Sequence, residues 1–227
     1  MVRMKLGAAL LILSAIFATS VVANGEKTMV IMKTSMGNIT LELYPEKAPA
    51  TVENFLKYVD DGFYKDTIFH RVINTFMIQG GGFDCNLSKR STRSAIKNEA
   101  ANGLRNERGT IAMARTMVPD SATSQFFINT GNNHNLDFKN PSQRGIGYCV
   151  FGRVTDGMAV VDKIRAVATC SKGGMRDVPK ADVVIEGIVR MVKPKADGAN
   201  EKPVESQSTP EADVVPLPAP EIISSGR

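Results

Sequence analysis

The sequence predicts a mostly β fold: a closed eight-stranded antiparallel barrel capped by two α-helices. Three observations lead there. Eight short runs rich in β-branched and aromatic residues recur along the chain, each bounded by turn residues. Only two segments carry a helical period, one near each end of that series. This order fits neither alternating strand–helix units nor a helical bundle.

The elements follow in chain order. Residues 1–23 have the pattern of a secretory signal: Arg3 and Lys5, an apolar run from Leu6 to Ala18, then Val21-Val22-Ala23 before Asn24. The stretch from Leu6 to Ala23 is also just long enough to span a bilayer as an uncleaved anchor, at about 18 residues. The folded domain is expected at 24–193. Strands are expected at Met29–Ser35 and Asn38–Leu43, with Met36-Gly37 as the tight turn between them. Pro49–Asp61 places Val52, Phe55, Leu56 and Val59 on one helical face. Pro49 opens it and Gly62 follows its end. Further strands are expected at Thr67–Ile73, Phe76–Gly80, Gly109–Arg115, Ser124–Thr130 and Tyr148–Val154. A second helix is expected at Asp156–Val167, with Val160, Val161, Ile164 and Val167 on one face, and a last strand at Asp182–Val192. From 194 to 227 the chain holds six of its 11 prolines and no aromatic residue, and three basic side chains face six acidic ones. Such a segment has too little apolar surface to offset its ordering entropy and is expected to be a disordered tail.

Composition narrows the chemistry. The 227 residues are 43% hydrophobic and 22% charged, with net charge +5, which excludes a polytopic membrane protein or a wholly disordered chain. Two histidines and three cysteines leave little room for a multi-ligand zinc site, so no metal is expected. No nucleophile elbow is present, and Gly80-Gly81-Gly82 lacks the lysine and helix of a phosphate loop. Cys149 reads as a buried thiol in an apolar strand. Cys85 and Cys170 both lie in loop-like sequence, where an internal disulfide between them is one option. The basic residues show no aromatic interleaving of the kind used on single-stranded nucleic acid.

What remains is an arginine and two glutamines among Phe, Met and Ala. Arg71 is expected to share a strand face with Phe69 and Ile73, Met77 a face with Gln79, and Gln125 a face with Phe127. The run FHRVINTFMIQGGGF, with GTIAMART and SATSQFFIN, resembles the cyclophilin family of peptidyl-prolyl cis-trans isomerases. The resemblance spans about Met29 to Val192. It is strongest to bacterial single-domain members, whose stretches IKNEA and DVPKADVVIE also recur here.

This resemblance implies the barrel just described and assigns roles by position. Arg71 would be catalytic. Phe76, Met77, Phe127 and Leu136 would form the proline pocket, and Gln79 and Gln125 would contact the peptide. Ala114 and the backbone of Arg115 would line the groove, and Tyr148 stands where many eukaryotic members have histidine. Arg115 itself occupies a frequent asparagine position. Asn135 stands at a tryptophan or phenylalanine position, so one aromatic wall is missing from a chain that has no Trp at all.

Such chemistry needs no cofactor. Rotation about an X–Pro bond breaks nothing; it must cross a barrier on the order of 18–20 kcal/mol set by amide resonance. A guanidinium that donates to the proline nitrogen only when the amide is twisted lowers that barrier selectively. The partners expected are proline-containing unfolded or exported polypeptides, met by a monomer in the periplasm. Neither nucleic acid nor stable membrane insertion after cleavage is expected. A proline-peptide binding module with negligible turnover is the alternative reading.

Overall fold

The computed structural model describes residues 27–191. The expected signal and tail lie outside the described residues. Among those residues no helix is long and apolar enough to cross a membrane.

The first hairpin joins β1 (Thr28–Thr34) to β2 (Gly37–Leu43). Its turn lies at Ser35-Met36, with Thr34 paired to Gly37. The Thr34 hydroxyl clamps it, donating to the Gly37 carbonyl at 2.6 Å and accepting from the Met36 N–H at 3.2 Å. Helix α1 (Pro49–Asp60) follows and turns Phe55 and Val59 into the interior. Its N-cap position is Ala48, which offers no side-chain oxygen. The Glu99 carboxylate fills that gap from 48 residues away. It accepts the N–H groups of Ala50 and Thr51 at 3.1 and 2.8 Å and the Thr51 hydroxyl at 2.7 Å.

The run expected as one strand, Thr67–Ile73, is two. β3 (Thr67–Ile68) pairs with the last strand, whereas β4 (Arg71–Ile73) pairs with β5 (Met77–Gly80). Then come β6 (Thr110–Met113), β7 (Phe126–Asn129), β8 (Val150–Asp156), helix α2 (Met158–Arg165) and β11 (Val184–Arg190). Between α2 and β11 lies a hairpin that the sequence pattern did not suggest, β9 (Thr169–Lys172) and β10 (Met175–Pro179).

Nine strands form one curled antiparallel sheet in the order β3-β11-β1-β2-β8-β6-β7-β5-β4. Its two terminal strands are consecutive in sequence, so the sheet returns to itself through Phe69 and His70. Counted as one bent run, β3 and β4 restore the expected eight positions. The ring is completed there by covalent chain, not by a continuous ladder. The bend also corrects the expected face. Phe69 turns fully inside while Arg71 stays half exposed, so the two do not share a face. Gly80 permits the tight closure: a Cβ there would sit 3.1 Å from the Ile68 carbonyl.

The interior is one apolar cluster in which Phe55 of α1 plugs the barrel end. Its ring centroid lies 5.3, 5.8 and 5.2 Å from those of Tyr64, Phe126 and Phe151. Val161 and Ile164 of α2 join the same cluster. The three cysteines are free thiols. Cys149 is buried beside the Thr51 hydroxyl, and burial pushes its thiol up to about 11, so it is inert at neutral pH.

Candidate active site

Side chains of a strand alternate between its two faces, and the barrel uses both. Ile78, Ile111, Phe126 and Phe151 belong to the interior. Their neighbours Met77, Ala112, Phe127 and Val150 form a second, smaller cluster on the outer face. A shallow groove is built on that outer cluster.

Ladder register orders its residues. Arg71 lies opposite Gln79, Gln79 opposite Phe127, and Phe127 opposite Ala112. Directly paired residues on one face have Cβ atoms about 4.5–5.5 Å apart. A guanidinium, an amide and an aromatic ring therefore stand in a row across β4, β5 and β7. Around this row lies a cavity of ≈ 200 Å³ lined by Arg71, Phe76, Met77, Gln79, Ala114, Arg115, Phe127, Leu136 and Tyr148. These are all of the expected site residues except Gln125. Gln125 sits just behind, where its Oε1 accepts from Gln79 Nε2 at 2.9 Å. Gly82 makes room for it: a Cβ on Gly82 would come within 2.6 Å of Gln125 Nε2.

The far wall differs from the sequence expectation in one respect. The Arg115 side chain contributes, not only its backbone. Its Nε donates to the Gly147 carbonyl and its Nη1 to the Thr116 carbonyl, both at 2.9 Å. Its guanidinium carbon lies 4.6 Å from the Tyr148 ring centroid. Tyr148 in turn meets Phe127 edge to face at 5.7 Å. Asn135 is exposed on the His134–Leu136 turn and does not line the cavity.

Sequence reasoning missed what holds the pocket rim. Asn106, Asn129 and Asn133 are buried and bond one another. Asn133 Nδ2 donates to the Phe76 carbonyl at 2.7 Å, fixing one pocket residue. Asp137 Oδ1 accepts from the Asn106 N–H at 2.7 Å, fixing the turn that carries Leu136. Burial would raise the Asp137 carboxyl, but the Asn106 donors and His134 outweigh it and hold it below its usual value. Asn129 ends β7 while Asn106 and Asn133 lie in loops, and nothing in their spacing announces that they meet.

Two groups flank Arg71. His70 is buried, with its ring centroid 4.6 Å from that of Phe83, and its Nδ1 has no hydrogen-bond partner. Burial drives its pKa down to about 4, assisted by the Arg71 charge and only partly offset by the Ile68 backbone and Gln125. It is a neutral imidazole at pH 7. Asp177, on the unexpected hairpin, places Oδ2 3.7 Å from Arg71 Nε. The arrangement offers an apolar slot the size of a small ring, a permanent cation at its edge, and amides beside it.

A family model described as cyclophilin type peptidyl-prolyl cis-trans isomerase/CLD matches residues 29–190. The chain belongs to this family. It is a cyclophilin-type isomerase, 57% identical over 160 residues to peptidyl-prolyl cis-trans isomerase B of Escherichia coli. That match covers 70% of this chain and 98% of the relative. It is 58% identical over 158 residues to a peptidyl-prolyl cis-trans isomerase of Acinetobacter baylyi, covering 70% of this chain and 82% of that one. Its fold is similar to that of a Cryptosporidium parvum cyclophilin solved in the presence of the dipeptide Ala-Pro. The TM-score is 0.59 at 26% identity, covering 73% of this isomerase and 99% of that chain.

Proposed function

We propose that this isomerase rotates X–Pro bonds in the groove described above, with Arg71 as the catalytic group, and that its clients are exported polypeptides still folding in the periplasm. The observation that carries the site assignment is the row Arg71–Gln79–Phe127, which sets a half-exposed guanidinium at the rim of an apolar cavity. A proline ring fills the slot between Phe76, Met77, Phe127 and Leu136. The Gln79–Gln125 pair holds the peptide on one side while the other side turns. As the amide twists, its nitrogen becomes pyramidal and accepts a hydrogen bond from Arg71. That interaction exists only near the transition state, so it raises kcat and not mere affinity. Each 1.4 kcal/mol gained there is about tenfold in rate. Arg71 suits the role because it stays charged and its donor fork is rigid.

The assignment to export rests on the leader pattern of residues 1–23. Two measurements test the proposal. N-terminal sequencing of the protein from a periplasmic extract should start at Asn24; recovery only as the full-length cytosolic chain removes the export assignment. Refolding of a secreted client limited by proline isomerisation should accelerate in proportion to enzyme. Saturable binding of a proline peptide with no acceleration would instead establish the binding module.

A further inference from the structure

We propose that Asp177 is a positioning residue for Arg71. Its carboxylate takes up the Nε side of the guanidinium and leaves the Nη donors turned toward the groove. The proposal rests on the reading of Arg71 as the catalytic group.

The geometry begins with the hairpin. β9 and β10 pair as Thr169 with Pro179, Cys170 with Val178, and Lys172 with Met175. The register slips between Met175 and Val178, so Arg176 and Asp177 form a bulge. Asp177 has φ +62, a left-handed conformation that Gly, Asn and Asp accept and most residues avoid. The hairpin is fixed on both sides of this bulge. Val178 is fully buried, and the Lys180 N–H donates to the Ala168 carbonyl at 2.8 Å. At the tip, Gly173 packs so closely on Leu87 that a Cβ would lie 3.0 Å from its Cδ1. A rigid frame therefore carries a kink that aims one carboxylate at β4.

That carboxylate meets Arg71. Asp177 Oδ2 lies 3.7 Å from Arg71 Nε, and the two side chains are 41% and 43% exposed. This is the ion pair of Arg71 among the described residues. The distance is too long for a direct hydrogen bond, and such half-solvated pairs add little to folding. Stability does not account for a strained bulge at this place. The site does: Arg71 and Gln79 line both the proline cavity and the neighbouring cleft of ≈ 340 Å³ that holds His70, Met175 and Asp177. A guanidinium between two open clefts has many rotamers. A charge fixed on one side selects the set that faces the other.

The test uses Asp177→Asn and Asp177→Gly, both of which accept the left-handed backbone and so preserve the hairpin. Exchange of an Ala-Pro peptide is followed by NMR, with urea unfolding alongside. The expected result is a fall in kcat of about three-fold in both variants, with KM and stability unchanged, the size a half-exposed ion pair allows. In an Arg71→Ala background the same substitutions should change nothing further. The Nε–Hε resonance of Arg71 should be ordered in the wild type and mobile in Asp177→Asn. A kcat within 20% of wild type with an unchanged Arg71 resonance overturns the proposal, as does an equal loss in the Arg71→Ala background. If Arg71→Ala alone is fully active, the reading of Arg71 fails first and the positioning role falls with it.

Discussion

His70 makes stability depend on pH in a window that few other groups touch. Folding buries the imidazole with Nδ1 unpartnered and lowers its pKa from 6.5 to about 4. In the unfolded chain it titrates normally. Between those values the unfolded state binds the proton and the native state does not, so stability falls as pH falls. A gap of about 2.5 pKa units is worth about 3 kcal/mol once pH has dropped below both values. About 2 kcal/mol of that should be lost between pH 7.5 and pH 5. Carboxylates held low by their partners, such as Asp137 and Asp162, begin to contribute only in more acid solution. The assay is urea unfolding from pH 7.5 to 5 on wild type and His70→Gln. The variant's absolute stability does not matter; its slope against pH does, and it should be nearly flat. Wild-type stability that holds constant down to pH 5, or an equal slope in the variant, would show that His70 does not carry this dependence.

Other substitutions probe the frame and the groove separately. Gly82→Ala should displace Gln125 and break its bond to Gln79, a loss of about 1 kcal/mol in transition-state binding, or roughly five-fold in kcat/KM. Exchange kinetics on a proline peptide check this, with circular dichroism expected to be unchanged. Glu99→Ala removes the distant cap of α1 and should lower unfolding stability by about 1–2 kcal/mol while the groove residues keep their places. Asn133→Leu leaves Asn129 Oδ1 without its donor and the Phe76 carbonyl with the Thr130 N–H alone, and should cost about 1–3 kcal/mol, with KM rising as the pocket rim loosens.

Much of this was legible in the residues. Short runs of β-forming residues bounded by turn residues named β1, β2, β6, β7 and β11 to within a residue or two. The helices were legible from their apolar period: α1 turns Phe55 and Val59 inward on a 3.6-residue spacing. The break at Phe69-His70 was not legible, because it arises from closing the sheet and not from local preference. Thr169–Pro179 was missed because the hairpin is mostly solvent-exposed and shows no alternation; Gly173-Gly174 marks only its turn. In the groove, the Arg and Gln positions were legible from the resemblance of FHRVINTFMIQGGGF and SATSQFFIN to the cyclophilin family. Asp177 and the buried Asn106–Asn129–Asn133 group were not, since segments distant in sequence bring them together. Asn135 is exposed and does not line the cavity, whose far wall holds the Arg115 guanidinium over the Tyr148 ring.

If Arg71 stabilises the twisted amide as proposed, removing its guanidinium must slow exchange without abolishing binding. The direct measurement is the NMR exchange rate of an Ala-Pro peptide with wild type, Arg71→Lys and Arg71→Ala at equal concentration. Arg71→Ala should lose at least about tenfold in kcat, equivalent to 1.4 kcal/mol, while peptide affinity changes little and Arg71→Lys recovers only part. Equal exchange rates in wild type and Arg71→Ala would contradict that role.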